Sequence, residues 1–283
     1  METVIYRQEK NSSGVTMIFN LAKVSWMYPD NIIRVKQLRE QSTSNLLQHD
    51  WHDKMVCGCT VGGYKQLILG GQTGVITVYR LSYSQTKQGE VAVCGQPVRL
   101  YGHDSRITAV YACEQFSVVV TADSSGVCIV WDTNRLSYAH SYRAHHGVVR
   151  AVSVSSTLGY IASVSHTGLL SHLAVHNINS KHVGSIDTEL AINCICFSTS
   201  PEGTAINIIA AGIEDGSIRM WNTWDLQLVR AISSPASSLP LISLIFSKDS
   251  HTLYASNTDG RVFVWHRAGR TKDHPESNFM PLM

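Results

Sequence analysis

One short phrase recurs along this chain and constrains its fold more than any other feature. It is a Gly-centred turn followed by an alternating apolar strand that usually closes on an aromatic. It reads TGVITVY at Thr73–Tyr79, SGVCIVWD at Ser125–Asp132, DGSIRMW at Asp215–Trp221 and DGRVFVW at Asp259–Trp265. Two weaker copies are DNIIRVK at Asp30–Lys36 and TGLLSHLA at Thr167–Ala174. The second turn positions are Asn31, Gly74, Gly126, Gly168, Gly216 and Gly260, with spacings of 43, 52, 42, 48 and 44 residues. Alternation puts successive side chains on opposite faces, which is the period of a strand.

A strand-only repeat of this length is the pattern of a β-propeller, in which each copy is one four-stranded blade. The expected fold is all-β, with about five complete blades plus a partial N-terminal blade in an incomplete ring. In the clearest copy the strands are Arg106–Ala112, Ser117–Thr121, Val127–Trp131 and Tyr138–Arg143. The second of these is a continuous apolar run, expected of a strand covered on both faces. Residues 1–50 read as the partial first blade, with two or three strands, and a connecting segment. Residues 51–266 read as the blades, and 267–283, which lack periodicity, as a disordered tail. The polar stretch Ser82–Pro97 reads as a loop. With no outer strand evident after Trp265, the ring is expected to need strands upstream of Met1 to close, since an unpaired edge invites aggregation.

Composition narrows the function classes. The net charge of +2 gives no electrostatic case for nucleic acid, and the basic residues form no stripe interleaved with aromatics. Charged residues are only 16% of the chain, which suggests that another domain covers part of the surface. No apolar run approaches the roughly 20 residues of a membrane helix, and the start lacks a secretory layout. The expected setting is cytoplasmic, with no direct membrane insertion.

Seven cysteines fall mostly inside apolar strands, as small hydrophobes of a reduced protein do. Cys57-x-Cys59 and Cys194-x-Cys196 invite a zinc reading, but structural sites usually space paired cysteines by two to four residues, so core packing is preferred. His49, His52, His145 and His146 show no spacing that requires a metal. Gly-x-Ser-x-Gly is absent, and Leu69-Gly70-Gly71 is a strand-to-turn junction without the context of a phosphate loop. No cofactor, metal or catalytic residue is expected. A propeller hydrolase would rest on Glu189, Glu214 and Asp259 alone. Trp51, in an irregular stretch, is a candidate partner anchor.

The motifs support a closer reading. Gly102-His103 before an inner strand and Trp131-Asp132 at the end of a third strand match the WD-repeat pattern, and Asp215/Trp221 and Asp259/Trp265 match its turn and closing Trp. The chain resembles the WD-repeat family over Met55–His266, which implies a WD40-type propeller. SPEGTAINIIAAGIEDGSIRMWNTWDLQLVRAI (Ser200–Ile232), PLISLIFSKDSHTLYASNTDGRVFVW (Pro240–Trp265), WDTNRLSY (Trp131–Tyr138) and SWMYPDNIIRVK (Ser25–Lys36) resemble the C-terminal propellers of the BEACH-domain family. WD blades use a buried His, Ser/Thr, Asp, Trp relay. The third blade offers His103, Thr121 and Trp131, but Ser125 stands where Asp is expected. Blades five and six offer Asp215/Trp221 and Asp259/Trp265, but Ala211 and Ala255 replace the Ser/Thr and no His lies in register, so no blade carries a full set.

The resemblance implies a non-catalytic interaction scaffold in lysosome and vesicle trafficking, peripheral on those membranes. Its partners would be trafficking proteins or peptides and an upstream BEACH domain. The alternative is a structural brace for that domain. The binding rim of WD rings would hold Asp104, Arg106, Asp123, His146, His166, Glu214 and Asn257. This mixture of both charges and imidazole suits a specific polypeptide.

Overall fold

Four-stranded antiparallel sheets follow one another in chain order, and within each sheet every strand pairs with its neighbour in sequence. The computed structural model describes residues 4–7, 16–20, 23–27, 33–35, 53–63, 65–83, 91–168, 170–200, 207–233, 238–267 and 279–281. Among them there is no helix. The first sheet is β1 (Val4–Arg7), β2 (Thr16–Asn20), β3 (Lys23–Met27) and β4 (Ile33–Val35). The second is β5 (Met55–Val61), β6 (Gln66–Gly71), β7 (Ile76–Tyr83) and β8 (Val91–Leu100). The third is β9 (Ile107–Cys113), β10 (Val118–Asp123), β11 (Val127–Asp132) and β12 (Ser137–Arg143). The fourth is β13 (Val149–Val154), β14 (Tyr160–Thr167), β15 (Leu170–Asn177) and β16 (His182–Thr188). The fifth is β17 (Ile192–Phe197), β18 (Ile208–Ile213), β19 (Ile218–Asn222) and β20 (Leu228–Ile232). The sixth is β21 (Leu241–Phe246), β22 (Thr252–Asn257), β23 (Val262–Arg267) and β24 (Phe279–Pro281). These are propeller blades, as the repeat requires.

Three expectations about strands need correction. Residues 4–35 carry four strands where two or three were expected. The stretch read as a loop is largely strand: β7 runs on to Tyr83, and Leu81↔Val93 and Ser82↔Ala92 pair it with β8. The Val-Ala-Val-Cys run at 91–94 extends the ladder because β-branched residues suit a pleated surface. In the stretch read as a tail, Phe279–Pro281 pairs with β23 through Trp265↔Pro281 and Arg267↔Phe279, as the fourth strand of the last sheet.

The chain divides into two compact units, Met1–Val110 and Tyr111–Met283. In the first, Ile76 and Val78 are fully buried. Gly70 leaves room for Ile107, whose Cγ2 would lie 2.5 Å from a Cβ there. In the second unit, the second strands β10, β14 and β18 are buried along most of their length. Every residue of β10 is buried, whereas the outer strand β12 is exposed or half-buried throughout. Core side chains fill the space between successive sheets. Val164, Leu173, Ile192, Ile209 and Trp221 form one cluster, and Met220, Leu241, Phe246 and Trp265 another. Each such side chain contributes about 1.5–3 kcal/mol on burial.

Cys57 and Cys194 sit in equivalent bulges, opposite Gly70 and Gly212. Their sulfurs occupy the space a cross-strand Cβ would need, at 3.0 and 2.6 Å. Burial pushes both thiols up to about 12. Packing thus accounts for these cysteines.

The turn between second and third strands is where the relay reading needs its main correction. The buried carboxylate of the third blade is Asp123, three residues before Gly126, and not the residue at 125. Asp123 is 1% exposed. Its Oδ1 accepts from Ser125 N at 2.8 Å, Ser125 Oγ at 2.8 Å and Val127 N at 3.0 Å. In the same sheet Trp131 Nε1 donates to Thr121 Oγ1 at 2.8 Å, both buried. Asn257 holds the same place before Gly260, fully buried, accepting from Asp259 N at 3.1 Å and Arg261 N at 3.0 Å. Asp215 and Asp259, expected as relay members, are exposed on their turns, while Trp221 and Trp265 are buried as expected. Asp123→Ala should destabilise the chain by about 2–3 kcal/mol in urea unfolding, because charge-assisted bonds to two backbone donors are lost. Ser125→Ala should cost no more than about 1 kcal/mol.

Candidate functional site

A groove of about 470 Å³ opens between the fourth and fifth sheets. Its walls come from the end of β14, the β14–β15 turn, the start of β15, the β16–β17 connection and the β18–β19 turn. Two features of the sequence place it there. Each Gly-centred turn brings its flanking side chains to one end of the blade, and the segment entering the next inner strand passes the same end. His166, Glu189, Glu214 and Asp215 supply the polar lining. Leu170, Leu190, Ala191 and Ile213 supply the apolar part. Leu170 is 44% exposed, so the groove offers greasy surface to solvent.

Backbone and side-chain bonds fix this geometry. His166 Nε2 donates to Ile192 O at 2.7 Å, since a carbonyl can only accept. Ile192 N in turn donates to Ser171 Oγ at 3.0 Å. Both polar groups of one β17 residue are thereby held by side chains of the fourth sheet. Glu214 N donates to Ala191 O at 2.9 Å, which ties the β18–β19 turn to the same connection. Asp215 Oδ1 accepts from Ser217 N at 2.8 Å, which holds the carboxylate at the β18–β19 turn. Three carboxylates thus line a partly apolar groove with no lysine or arginine in its lining. Such a lining can hold a cationic group on an apolar stem.

Of the seven rim residues expected from sequence, the structure brings His166 and Glu214 together in this groove. His146 is exposed, in the connection from β12 to β13. Asp104 and Arg106 are exposed and belong to the first compact unit. Asp123 and Asn257 are buried turn anchors, so neither presents a side chain to a partner. Their spacing was the missed signal, because both stand three residues before the turn glycine. His103 and Thr121 are buried, consistent with structural places. Of the carboxylates considered for hydrolysis, Glu189 and Glu214 share the groove, and Asp259 lies on the β22–β23 turn of the sixth sheet. Trp51 lies outside the described residues, as do His49 and His52. Among the described residues no group of three or more His, Cys, Asp or Glu is placed to hold a metal ion. Nor is any helix among them long and apolar enough to cross a membrane.

Meandering four-stranded blades, turn glycines and buried closing tryptophans define a WD-repeat β-propeller chain. No family model matches it. The chain resembles the human lysosomal-trafficking regulator, with 39% identity over 247 residues, covering 87% of this chain and 6% of that protein. Human WD repeat- and FYVE domain-containing protein 4 is 29% identical over 244 residues, which is 72% of this chain and 7% of that protein. Beige protein homolog 1 of Schizosaccharomyces pombe is 25% identical over 203 residues, 59% of this chain and 8% of that protein. The resemblance to the BEACH family that the motifs carried is therefore shown along most of the chain. The chain spans less than a tenth of the length of these relatives.

His166→Ala should remove the bond to Ile192 O and loosen the groove wall. The expected loss is about 1 kcal/mol in urea unfolding, with faster amide exchange at the start of β17. His166→Asn, which cannot span the same distance, should give the same result.

Proposed function

We propose that this chain is a non-catalytic scaffold that docks a basic segment of a partner protein in the groove between the fourth and fifth sheets. The observation that carries the reading is the lining of Glu189, Glu214 and Asp215 over apolar Leu170, Leu190 and Ile213. A lysine or arginine side chain suits this lining, with its stem on the apolar residues and its charge among the carboxylates. An extended peptide would supply further contacts along the exposed Leu170. The similarity to trafficking regulators supports partners within the lysosomal and vesicle-trafficking machinery, and a cytoplasmic chain held peripherally on those membranes. No cofactor or metal is needed.

A second reading is favoured by exposed Ile242 and Ile245 on β21 and Val262 on β23, which give the sixth sheet an apolar surface. That surface suits packing against an upstream BEACH domain, so that the propeller also braces it. The two readings are compatible because they use different sheets.

Affinity capture from cytosol plus membranes tests the first. The 283-residue chain is compared with Glu189→Lys/Glu214→Lys, and circular-dichroism melts check that both are folded. The expected result is a set of trafficking proteins captured by the unmodified chain and lost with the charge-reversed groove. Equal capture by both folded chains would remove the groove from the account.

A further inference from the structure

His145 joins two sheets. Its backbone N–H donates at 3.1 Å to Gly126 O, in the turn of the third sheet, and its Nε2 meets Ser163 Oγ on β14 of the fourth sheet at 2.8 Å. A second link crosses the same seam, where the ring of Tyr142 on β12 lies 4.6 Å from that of His176 on β15. By register His176 takes the place of a closing tryptophan. It pairs with Ile161 as Trp131 pairs with Val119. His172 lies edge-on to His145 at 5.3 Å, and His182 lies 5.1 Å from His176. Four imidazoles therefore gather along one seam.

His145 and His176 are only 4% and 6% exposed. The Nδ1 atom of each is buried with no hydrogen-bond partner. A neutral ring tolerates this, because an unprotonated nitrogen is only an unused acceptor. A second proton would create a buried cation whose new N–H has nothing to donate to. The surroundings add to the penalty. Facing His145 are His146 from its own connection and His172 from β15, and facing His176 are His182 from β16 and Tyr142 from β12. On β12, His140 Nε2 is itself buried without a partner, and Arg143 directs its guanidinium to Ser125 O at 2.8 Å. Cys128 on β11 lies against Tyr142 and stays a neutral thiol, pushed up to about 12 by burial. The carboxylate of Asp187 on β16 bonds His172 Nδ1 at 2.6 Å.

We propose that the seam between the third and fourth sheets is a proton-operated latch, closed while His145 and His176 are neutral and opened when they take up protons. The fourth sheet also carries His166, Leu170 and Ser171 of the groove, so acid would loosen the groove in the same step.

The direction of the pH effect follows from the two rings. Burial first, then His172, His176 and His146, lowers His145 to about 4 from 6.5. Burial first, then His182 and His172, lowers His176 likewise to about 4. The unfolded chain binds more protons between those values, so stability is full above pH 6.5 and falls as the pH drops toward 4. If the two rings titrate independently, the unfolding constant should rise on the order of 100-fold between pH 6.5 and 5.0.

Urea unfolding of the 283-residue chain across that range, followed by tryptophan fluorescence, tests the latch against His145→Gln/His176→Phe. Gln retains a donor for Ser163, and Phe retains the ring against Tyr142. The rise should shrink to less than about 10-fold in the variant. The same rise in both chains would overturn the latch. Should the variant fail to fold, hydrogen exchange of the unmodified chain at pH 7.5 and 5.5, corrected for intrinsic rates, decides instead. Acid should strip protection from β13, β14 and β15 before β18 and β22, and uniform or absent loss would overturn the proposal.

Discussion

At Gly74 and Gly126 the segment entering the next inner strand rests directly on the turn glycine, and the placement of β9 and β13 depends on that contact. A Cβ at Gly126 would lie 2.0 Å from His145 O, and one at Gly74 would lie 2.5 Å from His103 O. Both glycines have positive φ, 93° and 86°. The approach lets Gly126 O accept from Ala144 N at 2.9 Å and His145 N at 3.1 Å. It therefore fixes where β13 begins relative to β11. From there the imidazole of His145 reaches Ser163, and the inner strands come close enough for apolar side chains to interdigitate between sheets.

The spacing of those glycines made the blades legible in the sequence. Continuous apolar runs such as SVVVT announced strands buried on both faces, and β10 is buried along its whole length. Outer strands were harder to read: Gly95 and Pro97 interrupt the apolar run of β8, and β24 is only three residues long, Phe279–Pro281, so neither shows a clear strand period. The buried turn carboxylate was missed for another reason. Ser125 and Asp215 share a place in the motif, but Asp123 bonds two residues onward to Ser125 N and four onward to Val127 N. A local hydrogen-bond geometry of that kind is set by turn conformation and not by apolar period.

The groove was half legible. His166 and Glu214 could be assigned to one end of their blades from turn position alone. Their convergence with Glu189 depends on how the fifth sheet follows the fourth, which His166, Ser171 and the Glu214 backbone set through β17 and the connection before it. His166, Ser171 and Ile192 are buried or half-buried, so the acidic lining stands on a hydrogen-bonded frame. Binding to a frame that is already ordered avoids the entropy cost of arranging it at the moment of contact. The His145 seam lies on the other side of the same sheet, which links the groove to the packing of the third blade.

Comparing Gly126→Ala with Gly260→Ala by urea unfolding tests the dependence on close approach most directly. Both positions have positive φ, but a Cβ at Gly260 meets nothing within 4 Å. Backbone strain alone should cost each variant about 1–2 kcal/mol. The account predicts that Gly126→Ala loses at least about 2 kcal/mol more than Gly260→Ala, because the backbone of the incoming segment must move. Equal losses at the two positions would contradict it.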